Sequence, residues 1–190
     1  MESTTSYRAA RKRDDAAVTS WALAAGAGDE SAVERFVVAT RPHVRRFVIH
    51  LTGDAQAADD LTQETFLRAL RALPRFEGRS SARTWLLAIA RRAVVDRVRH
   101  DLARPVLVCT DAWQAVAEAA QPRHLPGIDE SVALDDLMAK LPAERRQAFL
   151  LTQVLGLPYA EAAIVSDCPV GTVRSRVNRA RRTLTAQLLT

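Results

Sequence analysis

One stretch near the C-terminal end narrows the choice of fold more than any other. Tyr159-Ala160-Glu161-Ala162-Ala163 leads to a short break at Ser166-Asp167-Cys168. Then comes Pro169-Val170-Gly171-Thr172-Val173-Arg174-Ser175-Arg176-Val177-Asn178-Arg179-Ala180-Arg181-Arg182. The second part carries five arginines and no acid. At about 100° per residue, Val173, Val177, Ala180 and Leu184 form one apolar stripe. Gly171, Ser175, Asn178, Arg179 and Arg182 fall opposite it, with Arg174 and Arg176 on the flanks. Pro169 suits a first helical turn, where its missing N–H costs nothing. Two helices, a tight turn and a basic outer face describe a helix-turn-helix whose second helix enters a DNA major groove. Arg and Asn can read guanine and adenine edges, while Ser and Thr can hold phosphates. Thr172, Arg174, Ser175, Arg176, Asn178, Arg179 and Arg182 are therefore the candidate DNA contacts. A merely solvated basic helix would not explain the apolar stripe or the preceding helix and turn.

The chain has 190 residues, enough for one medium domain or two small ones. Hydrophobic residues make up 48%, which supports real cores, and aromatics only 5%, so the apolar mass is Ala, Leu and Val. That composition favours an all-α fold. A net charge of +5 points to an anionic partner. Cys109 and Cys168 stand far apart without a CxxC, and His43, His50, His100 and His124 do not cluster with them. No disulfide framework, metal site or cofactor is expected. No apolar run approaches the roughly 20 residues that span a membrane, and the polar N-terminus does not read as a signal peptide. Membrane insertion is not expected, and the expected location is the cytoplasm.

Charge divides the chain. Residues 21–100 carry +4, residues 101–130 carry −3 and residues 131–190 carry +3. The acidic piece also holds Pro105, Pro122, Pro126 and Gly127, and reads as a flexible linker with at most a short helix around Ala112–Ala120. Simple solubility would explain it; so would threading a basic channel on a partner. The first module predicts helices near 15–27, 30–40, 43–52, 55–73 and 83–100. The second predicts helices near 131–140, 143–154, 159–165 and 170–187. Residues 1–20 carry no motif and are expected to be disordered.

Two further surfaces carry chemistry. The helix near 55–73 turns Phe66, Ala69, Leu70 and Leu73 to one side and Asp60, Glu64, Leu67 and Arg71 to the other, with Gln63 beside them. Such a face could dock a basic, partly apolar helix. On spacing alone, a solvated face with a Glu64–Arg68 pair is the simpler account. The helix near 83–100 buries Leu86, Leu87, Ala90 and Val94, with Arg97 at the rim. Trp85, Arg92, Asp96 and Arg99 share its far side. Before it runs a loop with a glycine and two serines, residues 76–83. A Trp among arginines beside such a loop suits single-stranded nucleic acid: bases stack on aromatic faces and arginines neutralise phosphates. Trp85 taken by itself fits a core position equally well.

At these residues the chain resembles the extracytoplasmic-function (group IV) sigma factors of bacterial RNA polymerase. Asp59-Asp60-Leu61-Thr62-Gln63-Glu64-Thr65-Phe66 resembles the family's clamp-binding helix. Phe76 through Leu86, followed by Ile89-Ala90-Arg91, resembles its promoter-melting loop and helix. Tyr159 through Arg176 resembles its region-four helix-turn-helix. The three blocks stand in the family's order over residues 21–187, and their wording is similar to the sigma-C subgroup. The resemblance implies two small helical domains: region 2 at 21–100 and region 4 at 131–190, joined by the acidic linker at 101–130, which would run through the polymerase's basic RNA path. It implies that Asp60, Gln63, Glu64 and Leu67 meet the clamp helices of the beta-prime subunit, with the beta flap a further contact. Arg79, Ser80, Arg83, Trp85, Arg92 and Arg99 would recognise and open the minus-ten element. The region-four residues would read the minus-thirty-five element as duplex. An anti-sigma protein is a further partner the family implies, though no residue here marks it. Arg79 stands where many members carry an acid, so minus-ten preference does not carry over. Asp167 stands in the turn where Gly is common; Asp tolerates left-handed backbone.

The rival reading from another class is a self-sufficient regulator with residues 21–100 as a ligand or dimer domain. It would bind duplex DNA tightly alone and match a symmetric operator. A nucleic-acid enzyme has less support: there is no P-loop, no zinc-deaminase signature and no carboxylate cluster suggesting a pocket.

Overall fold

The computed structural model describes residues 2–103 and 137–188, and every regular element among them is helical. Helix α1 spans Glu2–Gly26, α2 Glu30–Thr52, α3 Ala55–Ala72 and α4 Ala82–Ala103; a 3-10 turn, Leu73–Arg75, follows α3. Helix α5 spans Ala143–Phe149 and continues as a π-helical turn, Leu150–Val154. Helices α6, Tyr159–Ser166, and α7, Val170–Leu188, complete the described residues. The linker beyond residue 103, with the helix expected near 112–120, lies outside the described residues. Of the helix expected over 131–140, residues 137–139 are described and are helical.

Helix α1 corrects the expectation of a disordered N-terminus: its backbone is helical from Glu2, not from residue 15. Its later turns are anchored, with Val18 and Ala22 fully buried and Ala25 nearly so. Once those turns are fixed, the upstream Ala- and Arg-containing sequence propagates helix at little further cost.

Helix α2 corrects the division at residues 40–43. It runs through Pro42 as one helix. A proline inside a helix removes one hydrogen bond and costs about 3 kcal/mol. Here Phe36, Thr40, Val44, Phe47 and Val48 are all buried around it, and Thr40 Oγ1 donates to Phe36 O at 2.7 Å. Burial of two phenylalanines and two valines outweighs the loss. Asp29 caps the helix by accepting from the Ala32 N–H at 3.0 Å. That bond, with the one from Ser31, holds the Asp29 carboxyl below the usual carboxylate range. Gly53 closes the other end at φ 69, donating to Ile49 O. Asp54 then caps α3 through Gln56 and Ala57.

The cores draw mostly on Ala, Leu and Val, with Phe36, Phe47 and Phe66 as the buried aromatics among the described residues. Phe36, Phe47, Leu86, Leu87 and Val94 are buried in the α1–α4 bundle. Leu150, Leu151, Val173 and Val177 are buried in the α5–α7 unit and belong to the same contiguous apolar cluster. The two domains meet where α6 packs on α4.

Two glycines give opposite expectations. A Cβ added to Gly26 would stand 2.5 Å from the carbonyl oxygen of Leu73, a backbone atom that cannot step aside, whereas one added to Gly171 would meet nothing within 4 Å. Gly26→Ala is expected to lower stability by about 1–3 kcal/mol. Gly171→Ala is expected to leave it unchanged or raise it by up to about 1 kcal/mol. Urea midpoints of the two variants check this; equal midpoints would contradict the close α1–turn approach.

Candidate functional site

Helices α6 and α7 form the helix-turn-helix. Between them Asp167 adopts left-handed backbone, φ 52, the only non-glycine residue with positive φ among the described residues. Cys168 N–H closes the turn on Ala163 O at 3.2 Å. Thr172 and Val173 N–H then bond Pro169 O, starting α7 just after the proline. Val173, Val177 and Ala180 are fully buried and Leu184 nearly so, the stripe expected from spacing. Arg174, Ser175, Asn178, Arg179 and Arg182 point to solvent, and Thr172 is half-buried. Ser175 Oγ donates back to Thr172 O at 2.9 Å, leaving its oxygen free to accept. Arg176 departs from the expectation. Its guanidinium is drawn onto α5, pairing with Glu144, and Nη1 lies 3.5 Å from Cys168 Sγ. Outside the expected set, Arg181 donates to Gln153 at 2.7 Å, bracing α7 against the π-helical turn.

The second surface is the loop at 76–81 with the start of α4. Trp85 is half-buried, its ring 4.8 Å from that of Phe76 at 40°. Arg79 is highly exposed and pairs with Glu77. Arg92 and Arg99 are exposed along α4. Arg97, expected at the buried rim, is instead solvent-facing and pairs with Asp101 at 3.0 Å. Arg83 is the sharpest departure. Expected to meet DNA, its side chain is only 6% exposed and donates to Asp14 and Asp15 of α1 at 2.7 and 2.6 Å. A buried guanidinium needs such partners, because an unpaired charge away from water is costly.

The third surface is the outer face of α3. Asp60, Gln63, Leu67 and Arg71 are exposed there and Glu64 is half-exposed. Leu70, expected in the core, is 37% exposed and lies at the edge of this face. Asp59 is tied to Arg45 of α2 at 2.6 Å, and that bond holds its carboxyl below the ordinary range. The expected Glu64–Arg68 pair is present at 2.7 Å, and Arg68 also reaches Asp96 of α4 at 2.5 Å. Glu64, Arg68 and Asp96 thus form a ladder along a groove of about 450 Å³ between α3 and α4, which Asp60 also lines.

The helix-turn-helix and the 76–81 loop are held side by side. Glu161 of α6 accepts from Ser81 Oγ at 2.9 Å and from Thr84 Oγ1. Arg91, also on α4, is half-buried near Asp167 and Cys168. Burial pushes its guanidinium below the usual range, and the Asp167 charge opposes that shift. Asp14, Asp15 and Glu161 were not among the expected site residues. Their partners lie 68–80 positions away in sequence, and no local periodicity reports such a contact.

Comparison with known proteins agrees with this layout. Residues 36–103 match the Sigma-70 region 2 family, and residues 131–184 match the Sigma-70 region 4 family. The chain is 51% identical over 180 residues to the ECF RNA polymerase sigma factor SigC of Mycobacterium tuberculosis, covering 91% of this chain and 92% of that one. It is 33% identical to the ECF RNA polymerase sigma-E factor of Escherichia coli, over 83% of this chain and 86% of that one. Among solved structures, it is similar to the sigma factor RpoE of Bartonella quintana in complex with the anti-sigma factor NepR, at TM-score 0.65 and 25% identity, covering 83% and 96% of the two chains. It is equally similar to CnrH in complex with the cytosolic domain of CnrY, at TM-score 0.65 and 26% identity, covering 90% and 97%. Among the described residues, no helix is long and apolar enough to cross a membrane.

Proposed function

This chain belongs to the extracytoplasmic-function sigma factors of RNA polymerase, which serve promoter-specific initiation, and from that premise we propose how its surfaces divide the work. Residues 21–100 form the unit that docks on core polymerase and opens the minus-ten element. Residues 131–190 form the unit that reads the minus-thirty-five element as duplex. Residues 101–130 thread between them through the polymerase, their negative charge standing in for nucleic acid. The chain makes no covalent bond itself; the polymerase carries the chemistry.

On α7, Arg174, Asn178 and Arg179 read base edges, while Thr172, Ser175 and Arg182 hold phosphates. The observation that carries this reading is the solvent-facing Arg174–Asn178–Arg179–Arg182 surface set opposite a fully buried Val173–Val177–Ala180 stripe. Arg176 joins the phosphate contacts only by leaving Glu144. At the minus-ten element, Trp85 offers its face to an unstacked base, Ser80 and Arg79 line the loop, and Arg92 and Arg99 follow the backbone phosphates. Arg83 serves from inside, through its carboxylate partners. Asp60, Gln63, Glu64 and Leu67 meet the beta-prime clamp helices, and the region-four unit meets the beta flap. An anti-sigma protein is a further partner in this reading, supported by the two complexes the fold resembles.

Opening a duplex costs a few kcal/mol per flipped base, recovered when that base is captured. Stacking on an aromatic side chain contributes about 1–3 kcal/mol. Trp85→Ala is therefore expected to leave polymerase binding and upstream duplex protection unchanged while promoter opening slows about tenfold or more. Trp85→Phe should retain most of the rate. Permanganate reactivity of thymines in the minus-ten region measures it; unchanged reactivity in Trp85→Ala would remove the tryptophan from the mechanism.

A further inference from the structure

Helix α1 presents one face to the minus-ten loop, and it does so at successive turns. Asp15, Thr19, Leu23 and Gly26 fall within about 80° of one another at helical spacing. Each meets a different point of residues 73–84. Gly26 abuts the carbonyl of Leu73, and Leu23 lies beneath Gly78, whose added Cβ would stand 3.5 Å from Leu23 Cδ1. Thr19 Oγ1 accepts the Ala82 N–H at 3.0 Å, satisfying one of the unpaired donors at the start of α4, and itself donates to Asp15 O at 2.7 Å. Asp15 and, from the adjacent position, Asp14 take the two terminal nitrogens of Arg83. Gly78 sits at φ 69, in the left-handed region that glycine adopts without a Cβ penalty.

We propose that α1 is the positioning element of the minus-ten loop, with Asp14 and Asp15 acting through Arg83 and Thr19 acting through the Ala82 amide. This rests on the reading that residues 77–85 capture an unpaired promoter base. A capture loop must be held rigid before its ligand arrives, or the binding energy is spent ordering it. Residues 77–81 have neither helix nor strand of their own to hold them. Helix α1 grips the end of the loop at Ala82 and Arg83, beside the hold that Glu161 of α6 has on Ser81 and Thr84. Two carboxylates on a planar guanidinium fix both its position and its rotation, which a single ammonium contact would not.

The test uses the full chain carrying Asp14→Asn and Asp15→Asn together, changes that keep shape and remove charge. Polymerase binding and minus-thirty-five protection are expected to stay within twofold of wild type, while the opening rate falls about tenfold or more, as displaced positioning groups commonly cause. On a template pre-melted across the minus-ten element, transcription should recover, but the preference among non-template bases should flatten. A fold that was merely weakened would lower output on every template and leave the preference intact. Asp15→Glu, which restores a carboxylate, should recover part of the rate, and Arg83→Lys should fall between wild type and the double variant. Wild-type opening with unaltered base preference in the double variant would overturn the proposal. So would parallel loss of polymerase binding and upstream protection. If the unmodified chain opens no promoter with core polymerase, the underlying reading fails, which is a different result from a defect confined to the variant.

Discussion

Reversing the charge of the α3 face, by Asp60→Arg together with Glu64→Arg, is expected to abolish co-purification with core polymerase while the protein stays folded. The face is acidic and amide-bearing around an exposed leucine, Leu67 at 45%. A partner complementary to it is basic and partly apolar. Placing arginines where that partner brings its own positive charge costs several kcal/mol, so affinity should fall by about 100-fold or more. The fold should tolerate the change, because α3 is held from the other side by Ala58, Leu61, Phe66 and Ala69, all buried. Losing Glu64 removes only one of Arg68's two partners, and Asp96 remains. Pairs this exposed contribute about 0–1 kcal/mol each. Helical circular dichroism should match wild type. Retained binding to core enzyme with a normal spectrum would show that α3 is not the docking face.

The second large effect is expected at α7. Arg174→Ala and Arg179→Ala should each weaken minus-thirty-five recognition by about 1–3 kcal/mol and relax base preference at one position, if each side chain reaches a base edge. Among the described residues, neither arginine side chain is tied to another side chain in the way that Arg176 is to Glu144 or Arg181 to Gln153. Removing them should therefore leave stability nearly unchanged. Arg182→Ala, at a phosphate position, should instead lower affinity evenly across sequences and reduce its salt dependence. Footprints and binding curves on a duplex carrying the upstream element distinguish these outcomes. Unchanged footprints in both alanine variants would mean that α7 does not lie in the groove as proposed.

The helix-turn-helix was legible because periodicity and turn chemistry are local. Val173, Val177, Ala180 and Leu184 repeat at helical spacing, and Asp167 stands where a left-handed residue is needed. The outward set on α3 was legible for the same reason. Leu70 was misassigned because it lies at the boundary of the apolar stripe, where spacing does not decide exposure. The helices expected over 30–40 and 43–52 are one helix through Pro42, because the tertiary burial that offsets the proline leaves no local signal. Arg83 reads as a DNA contact from its place beside Trp85, Arg92 and Arg99 after the small-residue loop, and from the family resemblance. Its partners, Asp14 and Asp15, stand in a segment without a motif, and pairings across nearly seventy positions are invisible to periodicity. The same holds for Glu161 on Ser81 and Thr84. What the sequence could not show is thus which charged groups are already spoken for within the fold.

The most direct measurement is transcription in vitro with purified protein, core polymerase free of other sigma factors and a genomic fragment library, with start sites sequenced. The account predicts starts that appear only when both proteins are present, preceded by two shared sequence motifs at fixed spacing. No new starts, together with tight binding of the protein alone to duplex DNA at a symmetric site, would contradict it.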